Sequence, residues 1–211
     1  MSNFFTSSIG KKFIMSITGL FLILFLCVHL TVNLLLLVSP EAFNAGCEFM
    51  ALPVIKVIEP ILALGFIIHI IWASVLTLQN QKARPTKYAL RNQSQNCTWA
   101  SRNMYILGAL VLAFLALHIC TIWYNFKFGD ITDHYELVSS RLEQPVYGII
   151  YIIAAILLGL HLSHGFWSAF QTIGFSNQIW RKRLEYVAYF FAFVFGIGFS
   201  IIPLYFMIFG A

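Results

Sequence analysis

Five apolar runs, at about residues 14–38, 57–79, 104–124, 146–172 and 186–209, are each near or above the ~20 residues an α-helix needs to cross bilayer hydrocarbon. In hydrocarbon the backbone must satisfy its own hydrogen bonds, so only helices or a closed barrel can span. Barrel strands would alternate with a period of two, and these runs do not. The expected fold is therefore an all-α membrane protein, a single transmembrane domain over 1–211 with five helices. Composition agrees: 60% of the 211 residues are hydrophobic and 10% charged, against roughly a quarter charged in a soluble domain. The first run is too long for a signal-peptide core and lacks a small-x-small cleavage site after it, so it is read as retained.

The charges sort by loop. Lys11 and Lys12 precede the first run, Lys82, Arg84, Lys87, Arg91 and Arg102 lie between the second and third, and Arg181, Lys182 and Arg183 between the fourth and fifth. These are ten of the thirteen basic residues, accompanied by one acid, Glu185. The opposite side carries Glu41, Glu48, Glu59, Asp130, Asp133, Glu136 and Glu143 against Lys56, Lys127 and Arg141. The positive-inside rule then predicts a multi-pass protein of the cytoplasmic membrane, N-terminus cytoplasmic and C-terminus outside. The net charge of +5 needs no nucleic-acid partner. Topology alone accounts for the basic face, which could also dock a soluble partner or anionic lipid. The long third loop, with His134, is expected to cover the outer surface.

Five of the six histidines fall inside predicted spans: His29, His69, His118, and His161 with His164. An unpaired polar side chain in hydrocarbon costs several kcal/mol, so intramembrane histidines point to function. Any one of them could be an interhelical contact; one in each of four consecutive helices is harder to explain that way. Their depths pair them. His29 lies 17 residues after Lys12 and 11 before Pro40; His118 lies 16 after Arg102 and 9 before Lys127. His69 lies 13 before Lys82 and 13 after Lys56; His161 lies 13 before Gly174 and 16 after Pro145. At 1.5 Å per residue, His29 and His118 are expected some 5–10 Å nearer the outside than His69 and His161.

A neutral imidazole is a good axial ligand for haem iron, and two of them leave no open site for oxygen. Zinc fits less well, since each pair lacks further ligands at its depth. The four cysteines, Cys27, Cys47, Cys97 and Cys120, form no CxxC, no haem-attachment CxxCH and no iron–sulfur cluster. Cys27 and Cys120 are read as small packing residues. Gly19 and Gly108 each precede their helix's histidine by ten residues, where a missing side chain could admit a haem held by the other two helices. Gly65 and Gly165, each four residues from a histidine, could let a macrocycle approach the backbone, although glycine also serves plain helix packing in membranes.

These residues carry a resemblance. HLTVNLLLLVSPEAFNAGCEFM, HIIWASVLTLQNQKARPTKY, ALHICTIWY and HLSHGFWSAFQTIG, in this order, resemble the histidine-bearing stretches of the five-helix, dihaem cytochrome b anchor of succinate:quinone oxidoreductases (succinate dehydrogenase and fumarate reductase). The resemblance implies two non-covalent b-type haems, an outer one held by His29 and His118 and an inner one by His69 and His161. His164 falls where a relative can have asparagine, and takes a supporting or packing role. It further implies a flavoprotein subunit and an iron–sulfur subunit on the cytoplasmic face, membrane lipid around the bundle, and a quinone, expected to be menaquinone, as substrate. The chain itself would carry electrons and not act on succinate or fumarate. Quinone reduction takes up protons, which makes Glu48, after the first helix, a candidate on the quinone side. Some relatives place a glutamate two residues before the fourth ligand; this chain has Gly159.

The cytochrome b anchor of another respiratory oxidoreductase, such as a formate dehydrogenase or nitrate reductase, would share this chemistry with different partners. A proton-coupled transporter with a histidine relay is a further alternative, against which stand the absence of an inverted repeat and of Asp or Glu within the spans. A structural anchor without haem would leave the four placed histidines unexplained.

Overall fold

The computed structural model of the protein describes residues 7–83, 98–175 and 177–210. Among these, ten α-helices and no strand form: α1 Ser8–Leu34, α2 Pro40–Met50, α3 Pro53–Lys56, α4 Ile58–Lys82, α5 Trp99–Arg102, α6 Met104–His118, α7 Tyr124–Phe128, α8 His134–Glu143, α9 Pro145–Ile173 and α10 Gln178–Phe209. A single 3₁₀ turn, Leu35–Leu37, extends α1, and a π-helical turn, Ile119–Trp123, joins α6 to α7. Five stretches are long and apolar enough to cross a membrane: Ile9–Leu37, Pro53–Lys82, Met104–Phe128, Pro145–Ile173 and Ile179–Phe209. The chain is a multi-pass helical membrane protein.

Local chemistry sets the helix ends. The Ser7 hydroxyl accepts from the Gly10 amide to start α1, and Asn177 accepts from Trp180 to start α10, each satisfying a donor the helix leaves open. Pro145 opens α9, where its missing N–H costs nothing, and Gly174 closes it at φ 108°, a left-handed conformation suited to glycine. The last helix starts well before the apolar run at 186, because Gln178–Glu185 continues it past the hydrophobic stretch.

Packing centres on α9. Helix α10 lies along it most intimately, α1 packs on α4, α9 and α10, α6 packs on α9, and α4 touches α6 sparingly. Glycines let α10 settle between its neighbours. A Cβ on Gly159 would stand 2.7 Å from the Ala192 carbonyl oxygen and 3.4 Å from the Gly196 Cα, while one on Gly198 would meet Leu30 at 2.9 Å. Such close approach replaces hydrophobic driving force, which lipid does not supply between helices. The histidine-free fifth span is thus built into the flank of the bundle, sharing a core of Ile23, Leu30, Leu162, Phe166, Ala188 and Phe195 with α1 and α9.

One end of the bundle carries Lys11, Lys12, Lys82, Arg102, Arg181, Lys182 and Arg183; Arg84, Lys87, Arg91 and Cys97 lie outside the described residues. The opposite end is capped by α2 and α8, which close over Leu36, Phe43, Ile122, Val138, Leu142, Ile202 and Phe206. The third loop is therefore no simple polar cover; half of it is a helix whose apolar face is buried. Asn44 clasps the cap: its amide donates to Asp133 Oδ1 (3.0 Å) and its carbonyl accepts from the Tyr135 amide (3.0 Å). Asp133 meanwhile caps α8 by accepting from the Glu136 amide.

The Asn44 hydrogen bond, followed by that from the Glu136 amide, holds the Asp133 carboxyl below the usual aspartate range. A depressed carboxyl contributes its stabilisation above the unfolded pKa and loses it as pH falls through the folded one. Hydrogen-exchange protection of the Tyr135 amide should therefore persist at neutral pH and fail only in acid below the ordinary carboxylate range. Asn44→Ala should abolish it at every pH; loss near pH 6 in the parent chain would contradict the clasp.

Candidate functional site

The sequence-predicted histidines converge inside the bundle. His29 of α1 and His118 of α6 face each other edge to face, ring centroids 5.8 Å apart. Aromatic rings wall the pair: Phe25 stacks on His29 at 5.2 Å, Phe199 of α10 lies 5.7 Å from it, and Phe114 stacks on His118 at 5.8 Å. Asn33, the last residue of HLTVN, donates to the His29 carbonyl (2.8 Å), its amide nitrogen 3.5 Å from both ring nitrogens. His118 Nδ1 lies 3.2 Å from the Tyr151 hydroxyl of α9.

His69 and His161 are seated alike. A Cβ on Gly19 of α1 would meet His69 Cε1 at 3.2 Å, and one on Gly108 of α6 would meet His161 Cε1 at 3.3 Å. Each imidazole thus rests on the glycine ten residues before His29 or His118, and the two are within electrostatic range of each other. Ten residues at 1.5 Å put the two levels about 15 Å apart along the helices. That exceeds the 5–10 Å counted from loop charges, because the helices run past their apolar windows to different extents.

The Met15 carbonyl, 3.2 Å from His69 Nδ1, can only accept. Nδ1 therefore carries the proton and Nε2 the lone pair, the tautomer a metal ligand needs. His161 Nδ1 is buried without a hydrogen-bond partner, an arrangement that costs free energy unless the ring serves something else. His164 turns edge-on to Trp167 (4.9 Å), whose ring carries the Arg181 guanidinium at 5.0 Å. Gly108 contacts His161 and not His164.

These residues fit bis-histidine haem. Two metal–nitrogen bonds of about 2 Å each span roughly the separation of the His29 and His118 rings. His69 presents Nε2, and the glycine seats remove side chains beside the other pair. Among the described residues no three His, Cys, Asp or Glu side chains gather, so the donors come in twos and no four-ligand zinc site is assembled.

Two glycines are used otherwise than the sequence suggested. Gly65 faces the Phe21 ring at 3.2 Å and Gly165 the Met104 methyl at 3.0 Å, so both serve packing between helices. Glu48 is exposed on α2, and the contacts described for His29 and His118 do not include it. His134 opens α8, its ring 4.5 Å from Phe126. Sequence reading missed Tyr151 and Glu59. The latter accepts from Trp123 Nε1 (3.0 Å) and from the Lys127 ammonium, tying α4 to the far end of the third span. Comparison with protein-family models, with curated proteins and with solved structures found no match for the chain.

Proposed function

We propose that the chain is the membrane anchor and electron-carrying subunit of a succinate:quinone oxidoreductase, with one b-type haem between His29 and His118 and a second between His69 and His161. The observation that carries this reading is the arrangement of four histidines as two pairs at two depths, one with facing rings and the other on matched glycine seats. A haem with two histidine ligands supplies a one-electron carrier closed to oxygen. The chain's own residues do the holding. The Met15 carbonyl fixes the His69 tautomer, Phe25, Phe114 and Phe199 keep water from the other pair, and Gly19 and Gly108 leave room beside His69 and His161.

In this reading the basic end is cytoplasmic and receives the iron–sulfur and flavoprotein subunits, where succinate or fumarate is handled. The capped end faces outward, and quinone, of the menaquinone type, reacts near His29 and His118 with Glu48 as a candidate proton carrier. His164 supports His161 from the Trp167 side. Purification from native membranes tests the partners. Co-purifying flavoprotein and iron–sulfur subunits with succinate-driven reduction of the chain's haem are expected; a formate- or nitrate-linked partner would overturn the assignment while leaving the haem pairs standing.

The glycine seats give a graded expectation. Gly108→Ala asks the His161 ring to give by a few tenths of an ångström, whereas Gly108→Val fills the seat. The valine variant should bind the His69/His161 haem more weakly by on the order of tenfold and leave the other haem in place, measured as haem retained per chain on dilution. Equal retention of both haems would show that the seat does not matter.

A further inference from the structure

We propose that Tyr151, acting with Thr121, is a positioning residue that locks His118 in the tautomer with the proton on Nδ1, leaving Nε2 free for iron. The inference rests on the haem reading above and deepens it at one ligand.

The argument runs from an atom that cannot donate. The Leu117 carbonyl accepts from Thr121 Oγ1 at 2.8 Å, which uses the only proton on that hydroxyl. Thr121 is also the hydrogen-bond partner of the Tyr151 side chain. With its proton committed, Thr121 accepts, so the Tyr151 O–H donates to it. The Tyr151 oxygen then has only lone pairs to offer His118 Nδ1 at 3.2 Å, and Nδ1–H must donate. A neutral imidazole has one N–H, so Nε2 carries the lone pair. Each donor in the chain from His118 through Tyr151 and Thr121 to Leu117 is thereby matched to one acceptor.

The surroundings hold this relay in place. Phe114 stacks on His118 and meets Tyr151 edge-on at 4.9 Å. Thr121 belongs to the π-helical turn Ile119–Trp123, directly after His118, where the widened backbone departs from the regular i→i−4 ladder; such turns recur at functional sites.

The two pairs therefore differ in what stands behind a ligand. His69 donates to a backbone carbonyl, His118 to a phenol whose own proton is spent elsewhere. An acceptor on Nδ1–H makes Nε2 a stronger donor and favours ferric iron. Removing it from His118 should raise the potential of that haem alone.

Redox titration of the purified full-length chain tests this with Tyr151→Phe, Thr121→Val and, as a control, Thr31→Val, whose hydroxyl bonds only within α1. Tyr151→Phe is expected to raise one midpoint by on the order of tenfold in the oxidised-to-reduced ratio, about 59 mV for one electron, and to leave the other unchanged. Thr121→Val should shift the same haem the same way by less, and Thr31→Val neither. Unchanged midpoints, or equal shifts of both haems, in Tyr151→Phe would overturn the proposal; if that variant fails to fold, Thr121→Val decides. Nitrogen-15 NMR of labelled histidines in the haem-free full chain separates this inference from the haem reading. His118 protonated at Nδ1 in the parent chain and not in Tyr151→Phe upholds the lock even in a chain that takes up no haem, and an identical tautomer in both overturns it.

Discussion

Replacing His118 with alanine is expected to lower the haem content from two per chain to one, with the spectrum of the remaining haem intact. The ring of His118 meets that of His29 at 5.8 Å, whereas His69 and His161 project from α4 and α9 about 15 Å further along the bundle. Because His29 and His118 form one site, His29→Ala should cause the same loss, and the double variant should lose no more than either single one. His161→Ala should remove the other haem. His164→Ala should remove neither, since its ring is engaged by Trp167 and the Gly108 seat belongs to His161. Pyridine haemochrome quantification of each purified variant reads the outcome. Loss of both haems from a folded His118→Ala chain would contradict two independent pairs, and loss in His164→Ala matching that in His161→Ala would reassign the ligand.

The second large effect concerns Gly159, where a glutamate in relatives of the family the chain resembles would sit. A Cβ here lies 2.7 Å from the Ala192 carbonyl oxygen, a backbone atom that moves only if α10 moves. Gly159→Ala should therefore cost about 1–3 kcal/mol by overpacking, seen as a thermal midpoint lowered by roughly 5 °C in detergent. Gly159→Glu should separate α9 from α10 and fail to accumulate as folded protein, because a carboxylate would be forced against a carbonyl in a dry interface. A stable Gly159→Glu chain would mean that α10 sits further from α9 and that the position is open to a proton-carrying side chain.

Five spans and the partition of charge between two ends were legible in the sequence because both follow from composition along single helices. The His29–His118 pairing was legible because equal depth on neighbouring helices leaves few partners. The depth difference itself was underestimated, since loop charges mark helix ends poorly where α10 begins at Gln178 and α1 at Ser8. The cap helix α8 carried a readable signal that the loop composition hid: Asp133 followed three residues later by Glu136, a capping pattern. Other features have no local signature. The π turn after His118 and the Tyr151 contact, across 33 residues, depend on how α6 meets α9. Gly65 and Gly159 look alike in sequence, yet one faces a side chain that can shift and the other a backbone that cannot.

The central claim is tested most directly by a dithionite-reduced minus oxidised visible spectrum of the purified chain, with haem quantified against protein. Two b-type haems per chain, both six-coordinate and unreactive toward carbon monoxide, are the predicted result. A folded chain that takes up no haem when supplied in excess would contradict the account.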